Sequence, residues 1–227
     1  EEIEESAEVP APEEEASRTT VPAGRQVMHG VRCPVCDGQG DESEGTLHRC
    51  TTCDVLYRNP RPSQGEITRL RDERFAGALS RNHAQEIKVE VDAANEAMRG
   101  YHRAAAGKDA VLNGFGKRVL DVGCGLGFRM RQFDQYGWLS MGLEPTQEEF
   151  AYTKAVLLHV MKGDFDTLPK GAFQFVLLEG VLEEVADPAG LVERVSRILA
   201  VGAVVYSSVA APEKEEPLGE GQLYRFG

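Results

Sequence analysis

The stretch Arg118-Val-Leu-Asp-Val-Gly-Cys-Gly-Leu-Gly-Phe128 constrains the fold of this chain more than any other. An apolar, β-branched-rich run (Val119, Leu120, Val122) ends in glycines at positions 123, 125 and 127, and a helix-compatible segment, residues 128–136, follows. That order predicts a strand, a tight turn and a helix. Glycine tolerates positive φ and carries no Cβ, so such a turn can press its backbone against a ligand while the first N–H groups of the next helix point at it. A small polar molecule is expected to sit on this turn.

The spacing narrows the ligand. A dinucleotide fingerprint places its third glycine three residues after the second. Here it comes one residue early, and Asp121 lies two before the first glycine. The pattern Asp-x-Gly-x-Gly-x-Gly resembles the first motif of class I S-adenosylmethionine (SAM) methyltransferases. The resemblance implies that Gly123, Gly125 and Gly127 carry SAM and that Asp121 faces its ammonium end. A second strand over residues 137–144 ends in Glu144, 21 positions after Gly123. A carboxylate there can accept both hydrogen bonds of a ribose diol.

Further matches follow in order. The segment His159-Val-Met-Lys-Gly-Asp-Phe-Asp-Thr-Leu-Pro169 reads as a third strand and a turn. The resemblance implies that Asp164 accepts from the adenine amino group and that Phe165 flanks the ring. Residues 173–179 form an apolar fourth strand, as a strand buried on both faces should be, and Glu179 at its end is the last candidate cofactor-binding residue. Val181-Leu-Glu-Glu-Val-Ala-Asp-Pro188 resembles the family's Val-Leu-Glu-His-Val-x-Asp-Pro segment, with Glu184 where histidine is usual. A helix with Leu191, Val195, Ile198 and Leu199 on one face and a fifth strand over 201–209 complete the series. Glu184 and His83 are the candidates for a general base, if the acceptor arrives protonated.

Upstream, Cys33-Pro-Val-Cys36 and Cys50-Thr-Thr-Cys53 are separated by thirteen residues. Two such pairs offer four thiolates to one tetrahedral metal, which points to a structural zinc site, with His48 a bystander. With the Asn59-Pro-Arg-Pro62 turn the pairs resemble the zinc-ribbon head that precedes the catalytic domain in a subset of class I methyltransferases, although Asp54 stands where glycine usually follows the second pair. The prolines predict a rigid extended spacer over 59–62. Ser63 and Glu66 form a capping box opening a helix with Ile67, Leu70 and Phe75 on one side. Ile87, Val91, Ala94, Met98, Tyr101 and Ala105 stripe a second helix, which packs on the core or lids the cleft with His83, Tyr101 and His102.

The expected organisation is a disordered acidic arm (1–28), a zinc ribbon (29–62), a helical linker or lid (63–113) and a SAM-binding domain (114–227). The fold class is α/β, a Rossmann-like, doubly wound, mostly parallel sheet. Residues 1–16 hold eight glutamates and account for eight of the twelve net negative charges, so the rest is only mildly acidic. Short basic pieces such as Arg69-Leu-Arg-Asp-Glu-Arg74 do not make the basic face a nucleic-acid binder needs. No apolar run approaches the roughly 20 residues of a membrane span, and a soluble cytoplasmic protein is expected. After Val209 only 18 residues remain, whereas the family closes its sheet with two further strands. Gln222-Leu-Tyr-Arg-Phe226 is expected to begin a sixth strand, and the open edge to invite a protein partner or self-association, unless the chain is a fragment. The function implied is methyl transfer from SAM to a small or sugar-like acceptor. A non-catalytic scaffold that binds partners through ribbon and arm is the alternative.

Overall fold

The computed structural model describes residues 27–28, 32–44, 47–73, 75–76, 88, 92, 101, 113–156, 159–163, 165–209 and 224–225. Most of the acidic arm, His83, Asp164 and all of the predicted 87–105 stripe except Tyr101 therefore lie outside the described residues.

The N-terminal part is built from short strands: β1 (Val27–Met28), β2 (Gly40–Glu44), β3 (Leu47–Cys50), β4 (Leu56–Arg58) and β5 (Arg61–Pro62). Strands β2, β3 and β4 pair antiparallel in sequence order. The chain bends at Asn59–Pro60, whose peptide bond is cis, and Arg61–Pro62 pairs with β1. The expected extended spacer is thus a bend followed by a strand, because the paired edge sets the backbone path. Helix α1 (residues 64–73) follows. The Ser63 hydroxyl caps it by accepting from the Glu66 N–H at 3.3 Å. The Glu66 carboxylate is paired with Arg69. Ile67 is buried against the cysteine-bearing turns, but Leu70 is exposed, so the apolar side of α1 is narrower than the sequence suggests.

The second part alternates strand and helix: β6 (Arg118–Val122), α2 (Phe128–Gln135), β7 (Leu139–Leu143), α3 (Gln147–Val156), β8 (Val160–Met161), β9 (Phe173–Glu179), α4 (Pro188–Ile198) and β10 (Leu199–Ser208). Their strands make one parallel sheet in the order β10-β9-β6-β7-β8. The chain leaves β6 toward β7 and β8, then returns to β9 and β10 on the other side, so β6 and β9 flank the point where strand order reverses. Leu199 opens β10 opposite Phe173 instead of closing the α4 face.

Side-chain alternation along β6 divides the core. Leu120 and Val122 pack with Leu143, Val176, Leu178 and the inner face of α4. Val119 packs with Phe133, Trp138, Phe175, Leu177 and Tyr101 on the opposite side. Asp121 shares the Val119 side by the period-two rule. Helix α4 starts cleanly because Pro188 occupies its first turn and the Asp187 carboxylate accepts from the Gly190 N–H at 2.8 Å.

Among the described residues no strand continues beyond β10, whose Val201, Val204 and Val205 are exposed. Strand β11 (Tyr224–Arg225) does not extend this sheet as expected. It pairs antiparallel with β4, Tyr224 opposite Tyr57, at the free edge of the small N-terminal sheet. No helix of the described residues is long and apolar enough to cross a membrane.

Leu120 is fully buried in the central strand. Leu120→Ala should cost about 2–5 kcal/mol of stability, read from the shift in urea midpoint at constant slope.

Candidate functional site

The turn after β6 is held in a left-handed backbone path: φ is 67° at Gly123, 52° at Gly125 and 73° at Gly127. The N–H groups of Gly123 and Cys124 donate to the Leu143 carbonyl at 2.7 and 3.1 Å, which ties the turn to the end of β7. Helix α2 opens at Gly127 with no side-chain cap. Its first N–H groups are therefore not claimed by a capping side chain, as an anion-tolerant helix start requires. Cys124 lies beneath the turn, and burial pushes its thiol up, out of nucleophile range.

Glu144 is the anchor of this arrangement. It is fully buried; Oε2 accepts from the Gly125 N–H at 2.9 Å, and Oε1 accepts from the Thr146 N–H at 2.9 Å. The Thr146 hydroxyl lies 2.8 Å from Glu144 Oε1 and 2.9 Å from Glu149 Oε2, and its single proton serves one of them at a time. The predicted ribose ligand is thus already clamped to the glycine turn.

A second set of groups tops the Val119 side of the core. Asp121 is buried, and its Oδ2 has no hydrogen-bond partner. Burial pushes its carboxyl up to about 7; Arg129 opposes the rise, and Glu179 and Glu144 add to it. Arg129, in the first turn of α2, pairs with Glu179 at the end of β9. Burial works against the Arg129 charge, but Asp121 and Glu179 outweigh it and hold the guanidinium above its ordinary value. The Tyr101 ring is fully buried among Phe133, Phe175 and Tyr206. Its hydroxyl also lacks a hydrogen-bond partner, and burial followed by Glu179 and Asp121 pushes it up. Tyr101 is therefore a core side chain with a polar tip under the site, not a group presented from a lid.

The other predicted residues fall around these two sets. Phe165, in a short 3-10 turn over Phe165–Thr167, packs against the Leu120 side of the core with the Arg194 guanidinium 5.9 Å over its ring. Glu184 follows β9 and lies 3.6 Å from the Arg71 guanidinium. Arg71, on α1, also lies 3.5 Å from Glu149. Burial disfavours its charge, but Glu144, Glu149 and Glu184 outweigh that and raise its pKa. Sequence reasoning missed Arg71, Arg129, Thr146 and Glu149. Only Arg129, two residues past the last glycine of the turn, carried a local signal.

The four cysteines converge. Cys33 Sγ is 3.5 Å from Cys53 Sγ, Cys36 Sγ is 3.5 Å from Cys50 Sγ, and all four sulfurs lie within 4.8 Å of one another. A tetrahedral zinc with sulfur ligands at about 2.3 Å needs sulfurs about 3.8 Å apart, so the donor set fits. Burial works against the Cys50 charge, but the N–H groups of Cys53 and Thr52 bring it down to about 6; burial and the neighbouring thiols push Cys53 up to about 12. His48 is turned away, with Nδ1 3.5 Å from the Gly40 carbonyl. Asp54, where glycine was expected, adopts φ 62° and is paired with Arg49 at 2.9 Å. Asp37 repeats this at φ 56° with Arg32 at 3.4 Å, so Arg-Cys-x-x-Cys-Asp occurs twice with one geometry.

A parallel sheet with a reversed strand order, a left-handed glycine turn at its carboxyl edge and an acidic residue ending the neighbouring strand define a nucleotide-type ligand site of the Rossmann-like class. The model of the methyltransferase domain family matches residues 89–224, more than half of the chain, and the chain belongs to that family. It is similar to the ubiquinone biosynthesis O-methyltransferase of Psychrobacter cryohalolentis, 33% identical over 120 residues that cover 47% of this chain and 46% of that protein. The protein of the same name from a Bradyrhizobium species is 29% identical over 103 residues, 41% of this chain and 40% of its own length. The chain thus spans less than half the length of these relatives. Among solved structures, an S-adenosylmethionine dependent methyltransferase from Mesorhizobium loti shares 26% identity over 45% of this chain and 50% of its own, with a TM-score of 0.40. A Haloferax volcanii methyltransferase complex with the Trm112 activator shares 27% over 53% and 60%, also at 0.40.

The raised Asp121 pKa has a stability consequence. The ordinary carboxyl value is 3.8 and the folded value about 7, so between these the folded state holds a proton that the unfolded state has lost. Stability from this group is full below about pH 4 and falls as pH rises to about 7. Asp121→Asn should therefore raise the thermal midpoint at pH 8, and the gain should vanish near pH 4.

Proposed function

We propose that this chain is a SAM-dependent methyltransferase acting on a hydroxyl-bearing small molecule, with a structural zinc in its N-terminal ribbon. The observation that carries the reading is the buried Glu144 carboxylate clamped onto the left-handed Gly123–Gly127 turn at the strand-order reversal. When bound, SAM supplies a methyl group already activated by its sulfonium.

The residues then divide the work of holding it. Glu144 exchanges its bonds to Gly125 and Thr146 for the two ribose hydroxyls. The glycine turn leaves room for the methionine end: a Cβ on Gly125 would lie 3.3 Å from Glu149 Oε1 and would need a strained φ. Asp121, with one oxygen unpartnered, accepts from the ammonium and ionises in doing so. Phe165 and Asp164 take the adenine, Asp164 by its place in the sequence motif. Glu179 borders the methionine side through its pair with Arg129. Since the leaving group is activated, the protein's part is alignment and exclusion of water. Glu184 is the carboxylate offered as proton acceptor where the hydroxyl needs one. The names of the relatives, both O-methyltransferases, support an oxygen acceptor.

Cys33, Cys36, Cys50 and Cys53 close the zinc shell, which leaves no open position for catalysis. Metal analysis should find one equivalent of zinc, and chelation should lower the thermal midpoint; thiols that titrate freely in the native protein would exclude the site.

Calorimetric titration with S-adenosylhomocysteine should give binding, and NADH none. Glu144→Ala removes an acceptor for two charge-assisted bonds of about 1.5–3 kcal/mol each, so affinity should fall at least about tenfold. No heat, or equal affinity for wild type and variant, rejects the reading; binding without methyl release to any acceptor leaves a cofactor-binding scaffold.

A further inference from the structure

Among the described residues, Arg71 reaches the carboxylates of the site from upstream of the matched family region. Its position is fixed: next to it, the Asp72 carboxylate accepts from the Glu148 N–H at 3.1 Å and so caps α3 from α1. At the other end of α1, the Gln64 side-chain carbonyl accepts from the Ala186 N–H at 3.0 Å. Helix α1 is thus pinned to both rims of the cleft, after β7 and after β9.

The guanidinium is held by charge but poorly by hydrogen bonds. Its contacts to Glu149 and Glu184, at 3.5 and 3.6 Å, lie beyond good hydrogen-bond length, and its Nε is buried with no partner. Buried guanidinium N–H groups normally find acceptors. A ligand in the cleft can supply that acceptor. The carboxylates around Arg71 say which part of the ligand that is. Glu144 is the acid clamped to Gly125, and Glu149 lies against the open side of Gly125 and shares the Thr146 hydroxyl with Glu144. A ribose hydroxyl that donates to Glu144 exposes its own oxygen lone pairs to Arg71. Donor and acceptor are then both satisfied.

We propose that Arg71 is a cofactor-binding residue supplied from outside the methyltransferase domain, its guanidinium donating to a ribose oxygen beside Glu144. The inference rests on the SAM reading above and places the seat of α1, the cysteine ribbon, in the energetics of that site: Ile67 of the same helix packs into the cluster formed by Cys33, Cys50, Val55 and Tyr57.

Calorimetry on the full chain with two ligands tests it: S-adenosylhomocysteine, and 5′-methylthioadenosine, which keeps the nucleoside and lacks the amino-acid end. Arg71→Gln should weaken both by about tenfold or more. Should Arg71→Gln fail to fold by circular dichroism, Arg71→Lys decides, since it keeps the charge the three carboxylates require but loses the planar fork; a loss of about threefold or more for both ligands supports the proposal. Unchanged or tighter binding by the folded variant overturns it, tighter binding meaning that Arg71 only covers Glu144. A loss confined to S-adenosylhomocysteine also overturns it, because Arg71 then serves the amino-acid end. Wild type that binds neither ligand overturns the methyltransferase reading and this inference with it.

Discussion

Among the described residues, five carboxylates gather at the carboxyl end of the parallel sheet, and the rest of the site depends on how their charge is accommodated. Asp121 and Glu179 share Arg129, while Glu144, Glu149 and Glu184 share Arg71. Moving a carboxylate out of water costs several kcal/mol even after relaxation, and two guanidiniums cannot neutralise five anions. The shortfall shows in Asp121, which is driven toward its protonated form. The proposed ligand, with a sulfonium and an ammonium against one carboxylate, would bring one net positive charge and lessen the shortfall.

How much of this was legible in the sequence follows from the range of each interaction. The β6-turn-α2 unit was readable because its signal is local: β-branched residues, then alternating glycines, then a helix start. Glu144 was readable because the position of a carboxylate at the end of the second strand follows from helix and strand lengths. That Glu144 binds the turn itself was not, since a carboxylate that can accept from a ligand can equally accept from Gly125. Arg71 was hidden for a different reason. Its contacts, like that of Asp72 with Glu148 76 residues away, are set by how α1 docks, and Arg69-Leu-Arg-Asp-Glu-Arg74 reads as a solvated basic patch. Arg69 does remain on the surface, paired with the exposed Glu73 and the buried Glu66, while its neighbour but one turns inward.

The small sheet shows the limit of composition more plainly. Glycine after a cysteine pair supplies a left-handed residue at no steric cost, and Asp54 and Asp37 supply the same conformation because a short polar side chain tolerates it and pairs with the arginine preceding the first cysteine. From the sequence only the two cysteine pairs were read; that Arg-Cys-x-x-Cys-Asp recurs with one geometry has a conformational meaning. The two-residue β11 was unreadable as to partner: too short to declare a face, it joins whichever edge is free and near, and that edge belongs to β4.

These observations set the ribbon apart from a passive appendage. Cys33, Cys50, Val55 and Tyr57 enclose Ile67, and Ala186, just past the β9 turn, packs on the same cluster. One helix thus has its first turn seated on the cysteine cluster and its last turn among the carboxylates of the cofactor cleft. Both ends of α1 are also tied to the loops of the parallel sheet, Gln64 to Ala186 and Asp72 to Glu148, and Arg71 stands beside Glu149 and Glu184. The cysteine cluster and the acidic rim of the glycine turn are in this way bridged by one short helix.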